Sequence, residues 1–378
     1  MGLRRGMLMA AVLLVLTLGV AGCGGGAGQG RPQASGGRGA AADALVSLGE
    51  ACQGEFGGVR APEGFTVRLV TDIGRVDDGT FNQFANDGMR AAAECFGIED
   101  ISFIETASQA DYARNLQTAL SDDPDVVITV GFLLASDTLA VARRTSGVAF
   151  VGVDQFHPAY PDNYAGVLFR EDHAGFIAGA AAGLLTSSGV VGVIAGLESV
   201  PPVVRYVNGF TRGARHVNPD ISEPLRVFIN SFNDPGRGAS AAAQFLGEGA
   251  DVVFGAAGAT GSGGIRAAAA GGAWVIGVDQ DEYLTTFSNG AAPGSERLAT
   301  SAVKRVDLGV FRQIGAAVAG RFAGGPATYD TANGGVTYAP FHDAAVPEAF
   351  SLRLEEVRQG LADGRIQTGV DPATGQLR

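Results

Sequence analysis

The chain predicts an α/β fold of two similar, doubly wound, Rossmann-like lobes joined by a hinge. Three observations carry this. Short β-branched runs, each followed by Gly or Asp and then a helical pattern, recur through the middle of the chain as parallel βα units. Their first residues are spaced 34, 25 and 23 apart in the first half and 36, 25 and 23 in the second. The fourth unit of each half ends in the same four letters, Gly152-Val153-Asp154-Gln155 and Gly277-Val278-Asp279-Gln280, 125 residues apart. Such a repeat is too long for a solenoid and too few-membered for a propeller, but it suits two lobes facing each other.

The first-half runs are 67–71, 101–105, 126–130 and 149–153; the second-half runs are 190–195, 226–231, 251–254 and 274–278. They place a first lobe at 59–168 and a second at 169–285, with 286–378 crossing back to complete both. Between the runs, Ser108 and Asp111 form a capping-box pattern ahead of Tyr112, Leu116 and Leu120, which share one helix face. In 171–185, Gly175, Gly179 and Gly183 recur every four residues and permit close helix contact. That segment is too short for a membrane stripe and opens on Glu171, Asp172 and His173, so it reads as the crossover helix into the second lobe.

Ahead of the lobes, Arg4 and Arg5 precede an apolar run from Met7 to Val20, too short to span a bilayer but suited to an export signal over 1–22. Leu18-Gly19-Val20-Ala21-Gly22-Cys23 resembles a bacterial lipobox, which makes Cys23 the lipidated residue. Residues 23–58, rich in Gly, Ala, Ser and Gln, read as a flexible tether. Cleavage would remove Arg4 and Arg5 and take the net charge from −12 to −14. The expected location is the extracytoplasmic side of the cell membrane, held by the lipid anchor. Cys52 and Cys95 form an even pair that an oxidising compartment permits to bridge, but the favoured expectation is that Cys95 packs on one helix face with Phe81, Phe84, Gly88 and Ala92.

Composition removes several function classes. With 46% apolar and 17% charged residues the body is globular, and an excess of 39 acids over 27 bases argues against nucleic-acid partners. Four His and three Cys, with no pair at ligand spacing, give no expectation of a metal or cofactor.

Ligands of open α/β sheets bind beyond the carboxyl ends of the strands. The candidate edge residues are Asp72, Thr106, Phe132, Asp154, Gly196, Phe232, Gly258 and Asp279, and two lobes presenting them to one another make a cleft. The first turn, 71–82, carries Asp72, Asp77 and Asp78 ahead of Phe81 and Asn82. Its carboxylates suit a cation, acid–base work or a polyol, or else Asp78 or Thr80 simply caps the next helix. The turn superficially resembles the calcium-binding turn of nucleoside hydrolases, but the aspartate doublet lies one residue too far from Asp72, and Val70 stands where a partner Asp is needed. The glycine-rich turn 255–264 lets backbone amides approach a ligand around Gly258 but lacks the P-loop lysine and the dinucleotide spacing. Ser262 has no histidine marked out beside it as a base.

Of the 27 cations 26 are Arg, and Lys304 is the only Lys. A lone Lys in so Arg-biased a chain points to a site that needs a compact ammonium, with Asp279 upstream as acceptor for ribose-like hydroxyls. Phe81, Phe132 and Phe232, each by itself unremarkable core, together offer aromatic faces for a flat heterocycle.

From about Val67 to the end the chain resembles the basic membrane protein family of bacterial substrate-binding lipoproteins, which includes purine nucleoside receptors. The matching motifs stand in order at 71–82, 176–183, 208–213, 258–263, 276–281 and 301–307. The resemblance implies the type I periplasmic binding protein fold and a receptor that closes on a nucleoside for an importer with permease and ATPase subunits. It places Phe81 and Asn82 on the base, Asp279 on ribose hydroxyls, Lys304 on the sugar side and Asp154 in the cleft, with Phe132 or Phe232 as the second stacking face. The expected function is therefore a non-enzymatic, lipid-anchored nucleoside-binding protein, a purine being favoured. A sensory lipoprotein serving a signalling receptor and an N-glycosidic hydrolase are the competing classes.

Overall fold

The computed structural model describes residues 46–378. The proposed signal, Cys23 and the tether up to residue 45 lie outside them. The described chain opens on helix α1 (Leu48–Glu55), so part of the segment expected as tether is folded. Ser47 and Glu50 cap α1 reciprocally, a disulfide joins Cys52 to Cys95, and Phe56 buries its ring against Phe96 and Phe311. The disulfide and Phe56 supply the buried contacts that a short glycine-bearing helix lacks alone.

The first lobe continues with β1 (Thr66–Ile73), α2 (Phe81–Phe96), β2 (Asp100–Thr106), α3 (Tyr112–Ala119), β3 (Val126–Val130), α4 (Ala135–Ala142), β4 (Ala149–Val153) and β5 (Tyr164–Phe169). The second runs through α5 (Glu171–Leu185), β6 (Val191–Ala195), α6 (Pro201–Val217), β7 (Leu225–Phe228), α7 (Pro235–Gly247), β8 (Val252–Ala256), α8 (Ala259–Ala270), β9 (Trp274–Asp279) and β10 (Leu298–Lys304). The remaining chain forms α9 (Val306–Val318), β11 (Gly325–Tyr329), β12 (Val336–Tyr338) and α10 (Glu348–Ala362). The Ser108 and Asp111 capping box is present, at the short 3₁₀ turn that leads into α3.

Two six-stranded sheets result, ordered β11-β5-β4-β3-β1-β2 and β12-β10-β9-β8-β6-β7. Every pairing is parallel except β10 with β12. The central strands β3, β6 and β8 are buried along their whole length, as sheets covered by helices on both faces require. The chain crosses between lobes three times: at Arg170, where β5 leads into α5; at Arg305, where β10 leads into α9, which packs back on α2; and between β11 and β12. The glycine stripe of α5 faces α6: a Cβ on Gly175 or Gly179 would collide with the backbone carbonyl of Tyr206 or Phe210. Among the described residues no helix is long and apolar enough to cross a membrane.

Candidate functional site

The strand ends of both sheets meet at one cleft that encloses about 690 Å³ of empty space, counting its open mouth. Asp72, Asp78, Phe81, Asn82, Phe132 and Asp154 line it from the first lobe; Phe232, Gly258 and Asp279 line it from the second, and Lys304 from the hinge. All ten candidate residues therefore share one cavity. Two edge residues do not reach it. Thr106 is tied down by the Asn115 side chain and by Thr71 Oγ1, which accepts from its backbone N–H, while Gly196 lies under the Phe232 ring.

The first turn is built by its own side chains. Asp78 accepts from the backbone N–H groups of Thr80, Asn82 and Gln83 at 2.9, 3.0 and 3.1 Å and so caps α2, whereas the Thr80 side chain makes no cap bond. Capping and cavity lining fall on the same residue. Asp72 Oδ1 accepts from Tyr112 Oη at 2.5 Å and from Ile73 N at 2.7 Å, while Asn82 Oδ1 accepts from Asp72 N at 3.0 Å. Burial pushes both Asp72 and Asp78 up to about 6, against the hydrogen bonds that favour their charged forms. Asp77 points outward to an exposed pair with Arg75.

Asp154 and Asp279 hold the same place at the ends of β4 and β9, each in the left-handed backbone region, with φ of 61° and 64°. Between them lies Lys304, whose Nζ is 2.8 Å from Asp154 Oδ2, 3.4 Å from Glu171 Oε1 and 3.9 Å from Asp279 Oδ1. The same ammonium sits 4.6 Å from the centroid of the Phe81 ring, within cation–π range. Tyr206 Oη donates to Asp279 Oδ1 at 3.0 Å, and Arg205 Nε donates to Glu171 Oε2 at 2.6 Å.

Three buried carboxylates thus share two cations. Burial raises Asp154 to about 7 in spite of Lys304 and raises Asp279 as well. Burial also acts to raise Glu171, but Arg205 and Lys304 beside it bring it below the usual range. Lys304 stays charged: burial disfavours its ammonium, and the three carboxylates more than offset that. Asp154 Oδ1 is buried with no hydrogen-bond partner, an acceptor left over for a donor from the cavity.

Part of the lining is apolar, formed by Val200, Pro202, Val203 and the Tyr206 ring at the head of α6 together with Phe132 and Phe232. At the rim the lobes touch: Gln280 Nε2 donates to Thr80 O at 3.1 Å and Thr285 Oγ1 to Gly79 O at 2.7 Å. Ser262 donates to the buried Glu282 at 2.7 Å, which makes it a structural hydroxyl.

Sequence reasoning missed Glu171, Arg205, Tyr206 and the α6 wall. Val203 and Tyr206 share a helix face, but an apolar stripe of that spacing reads as core. The one usable signal was Glu171-Asp172-His173 heading an otherwise apolar helix.

Residues 65–361 match the profile of the Bmp family, described as ABC transporter substrate-binding protein PnrA-like. The chain is 30% identical over 327 residues to the CD4+ T-cell-stimulating antigen of Listeria monocytogenes, covering 83% of this chain and 90% of that protein. It is 31% identical over 281 residues to the ABC transporter nucleoside-binding protein BmpA of Lactococcus lactis, covering 71% and 79%. Among solved structures, an ABC transporter solute-binding protein from Aeropyrum pernix K1 superposes with a TM-score of 0.69 at 26% identity, covering 80% of this chain and 92% of that one. The architecture is that of type I periplasmic binding proteins.

Proposed function

We propose, for a chain that belongs to the Bmp family of PnrA-like ABC transporter substrate-binding proteins, that the cargo is a nucleoside and that a purine is preferred. The observation that carries this reading is the pairing, in one cleft, of aromatic rings with a hydroxyl-binding set. Phe81, Phe132 and Phe232 supply flat faces, and base stacking on such rings contributes about 1–3 kcal/mol per base. Asp154, Asp279 and Lys304 supply acceptors and a donor, Lys304 Nζ lying 2.8 Å from Asp154 Oδ2 and 3.9 Å from Asp279 Oδ1, which suits the vicinal hydroxyls of a ribose. Asp72, Asp78 and Asn82, which line the same cavity as Phe81, suit the polar edge of a base. The name of the Lactococcus lactis relative agrees with this assignment.

In the reading, an open form admits the nucleoside between the lobes. Closure then brings Gln280 onto the Thr80 carbonyl and presents the liganded face to a membrane permease driven by an ATPase subunit. Cys23 carries the lipid that keeps the receptor on the outer side of the cell membrane. Titration calorimetry of the mature protein with adenosine, guanosine, inosine, cytidine and uridine tests the cargo. Heat from the purine nucleosides is expected, and no heat from any of the five discards the assignment. The anchor is tested separately by Cys23→Ala, which should move the protein from the membrane to the soluble fraction.

A further inference from the structure

Lys304 is held from behind as well as from the cavity. Glu171, at the head of α5, takes Lys304 Nζ on Oε1 at 3.4 Å and Arg205 Nε on Oε2 at 2.6 Å. Arg205 Nη1 in turn donates to the backbone carbonyl of Pro372 at 3.0 Å. Pro372 belongs to the tail that follows α10, which lies beyond the family-matched stretch 65–361.

The other ties of this tail run to the same two helices. Thr368 Oγ1 donates to Asp172 Oδ2 at 2.6 Å, next to Glu171 on α5, and Asn208 Nδ2 of α6 donates to Gly375 O at 2.7 Å. Gly375, at φ +79°, lies so close to α6 that a Cβ there would meet Arg205 N and Pro201 O at 3.0 and 3.1 Å. The tail is itself fixed as a closed turn: Val370 bridges Leu377, and Asp371 Oδ1 accepts from Ala373 N and Thr374 N.

A Lys side chain is long and rotatable, and its ammonium here has carboxylates on three sides, so its resting place depends on how firmly each is held. The Asp154 backbone is set at its strand end by the bond from its N–H to Val167 O, and the Asp279 carboxylate is held by Tyr206 Oη. Glu171 is fixed by Arg205, and Arg205 has two acceptors among the described residues, Glu171 and the tail carbonyl. We propose that residues 368–378 are a positioning element of the ligand site, setting the place of Lys304 through Arg205 and Glu171. This rests on the reading that Lys304 contacts cargo, and it adds to the site a segment that touches no cargo.

The chain supplies its own probe. Lys304 is the only lysine, so labelling with carbon-13 and nitrogen-15 lysine yields a single ammonium signal in an NMR spectrum. Two variants are compared with the full chain: one ending at Gln367, and the full-length Asn208→Ala, which loosens the tail without touching a buried charge. In both, the Lys304 signal should shift and its ammonium protons exchange faster with water. Adenosine affinity should fall about tenfold on truncation and about threefold for Asn208→Ala.

If the variants are folded, even with a lowered melting temperature, and the Lys304 signal stays where it is in the full chain, the tail has only a packing role and the proposal is overturned. Should truncation prevent folding, Asn208→Ala decides alone. Should adenosine fail to bind the full chain, the nucleoside reading falls, while the lysine signal still decides whether the tail positions Lys304.

Discussion

The two lobes end their fourth strands in the same four residues, yet put them to different uses. Asp154 and Asp279 share their backbone conformation, but Asp154 takes the Lys304 ammonium at 2.8 Å and leaves an oxygen free, whereas Asp279 takes Tyr206 Oη at 3.0 Å and stands 3.9 Å from Lys304. The neighbouring glutamines diverge further. Gln155 turns inward and donates to the carbonyls of Thr129 and Gly131, bracing its own sheet; Gln280 reaches across the cleft to Thr80. The first strands diverge as well, since β1 carries Asp72 into the acidic turn while β6 is followed by Gly196 and leads to the apolar head of α6. Duplication preserves backbone shape at the strand ends. Surroundings then divide the labour: the first lobe adds the acids Asp72 and Asp78, the second adds the apolar head of α6, and the cation comes from the hinge.

Removing the shared cation should erase the distinction at greatest cost. Lys304→Met leaves three carboxylates buried together with Arg205 alone, a loss of about 3–5 kcal/mol. Calorimetry should find no measurable nucleoside binding, and the melting temperature should fall; binding at the original strength would show that neither aspartate depends on Lys304.

The acidic first turn sharpens the contrast through pH. Asp72 is raised to about 6 in the folded protein from an ordinary value of 3.8, so its contribution is fully present below about 4 and is lost as pH rises through about 6. Asp72→Asn removes that titration. Urea denaturation from pH 4 to pH 7 should therefore show the variant gaining on the parent by roughly 2–3 kcal/mol, and parallel curves would place Asp72 in water.

Asp279→Ala should weaken nucleoside binding by about 1.5–3 kcal/mol while the protein stays folded, through loss of a charge-assisted acceptor. Unchanged affinity by calorimetry would remove Asp279 from the sugar side. The glutamine pair provides the smallest test. Gln280→Ala should cost about 1 kcal/mol of affinity with little change in stability, and Gln155→Ala should lower stability by a similar amount with affinity retained. Equal behaviour of the two would mean that the repeat is functionally symmetric after all.

Most of the cleft was legible because its residues stand at strand ends, and strand ends follow from β-branched runs and their spacing. Asp72, Phe132 and Asp279 were found that way, and Lys304 by its rarity. The fifth and sixth strands of each sheet lie outside the sequence repeat: β5 and β10 follow long loops, and β11 and β12 come from one short C-terminal stretch that serves both sheets. Helix α1 reads as tether because an eight-residue helix containing Gly49 and Gly54 carries almost no periodicity, and the partner of its Cys52 lies 43 residues away.

By itself the sequence determined the duplicated α/β architecture, the strand edges that carry function and the singular lysine, since periodicity, turn chemistry and composition are local properties. Only the tertiary structure decided that Lys304 meets Asp154, 150 residues away, and Glu171, 133 away, and that Arg205 and the tail stand behind them. Those contacts exist because three chain crossings bring distant segments to the same buried point, where an unpaired charge is too costly to leave and each group must find its partner through space.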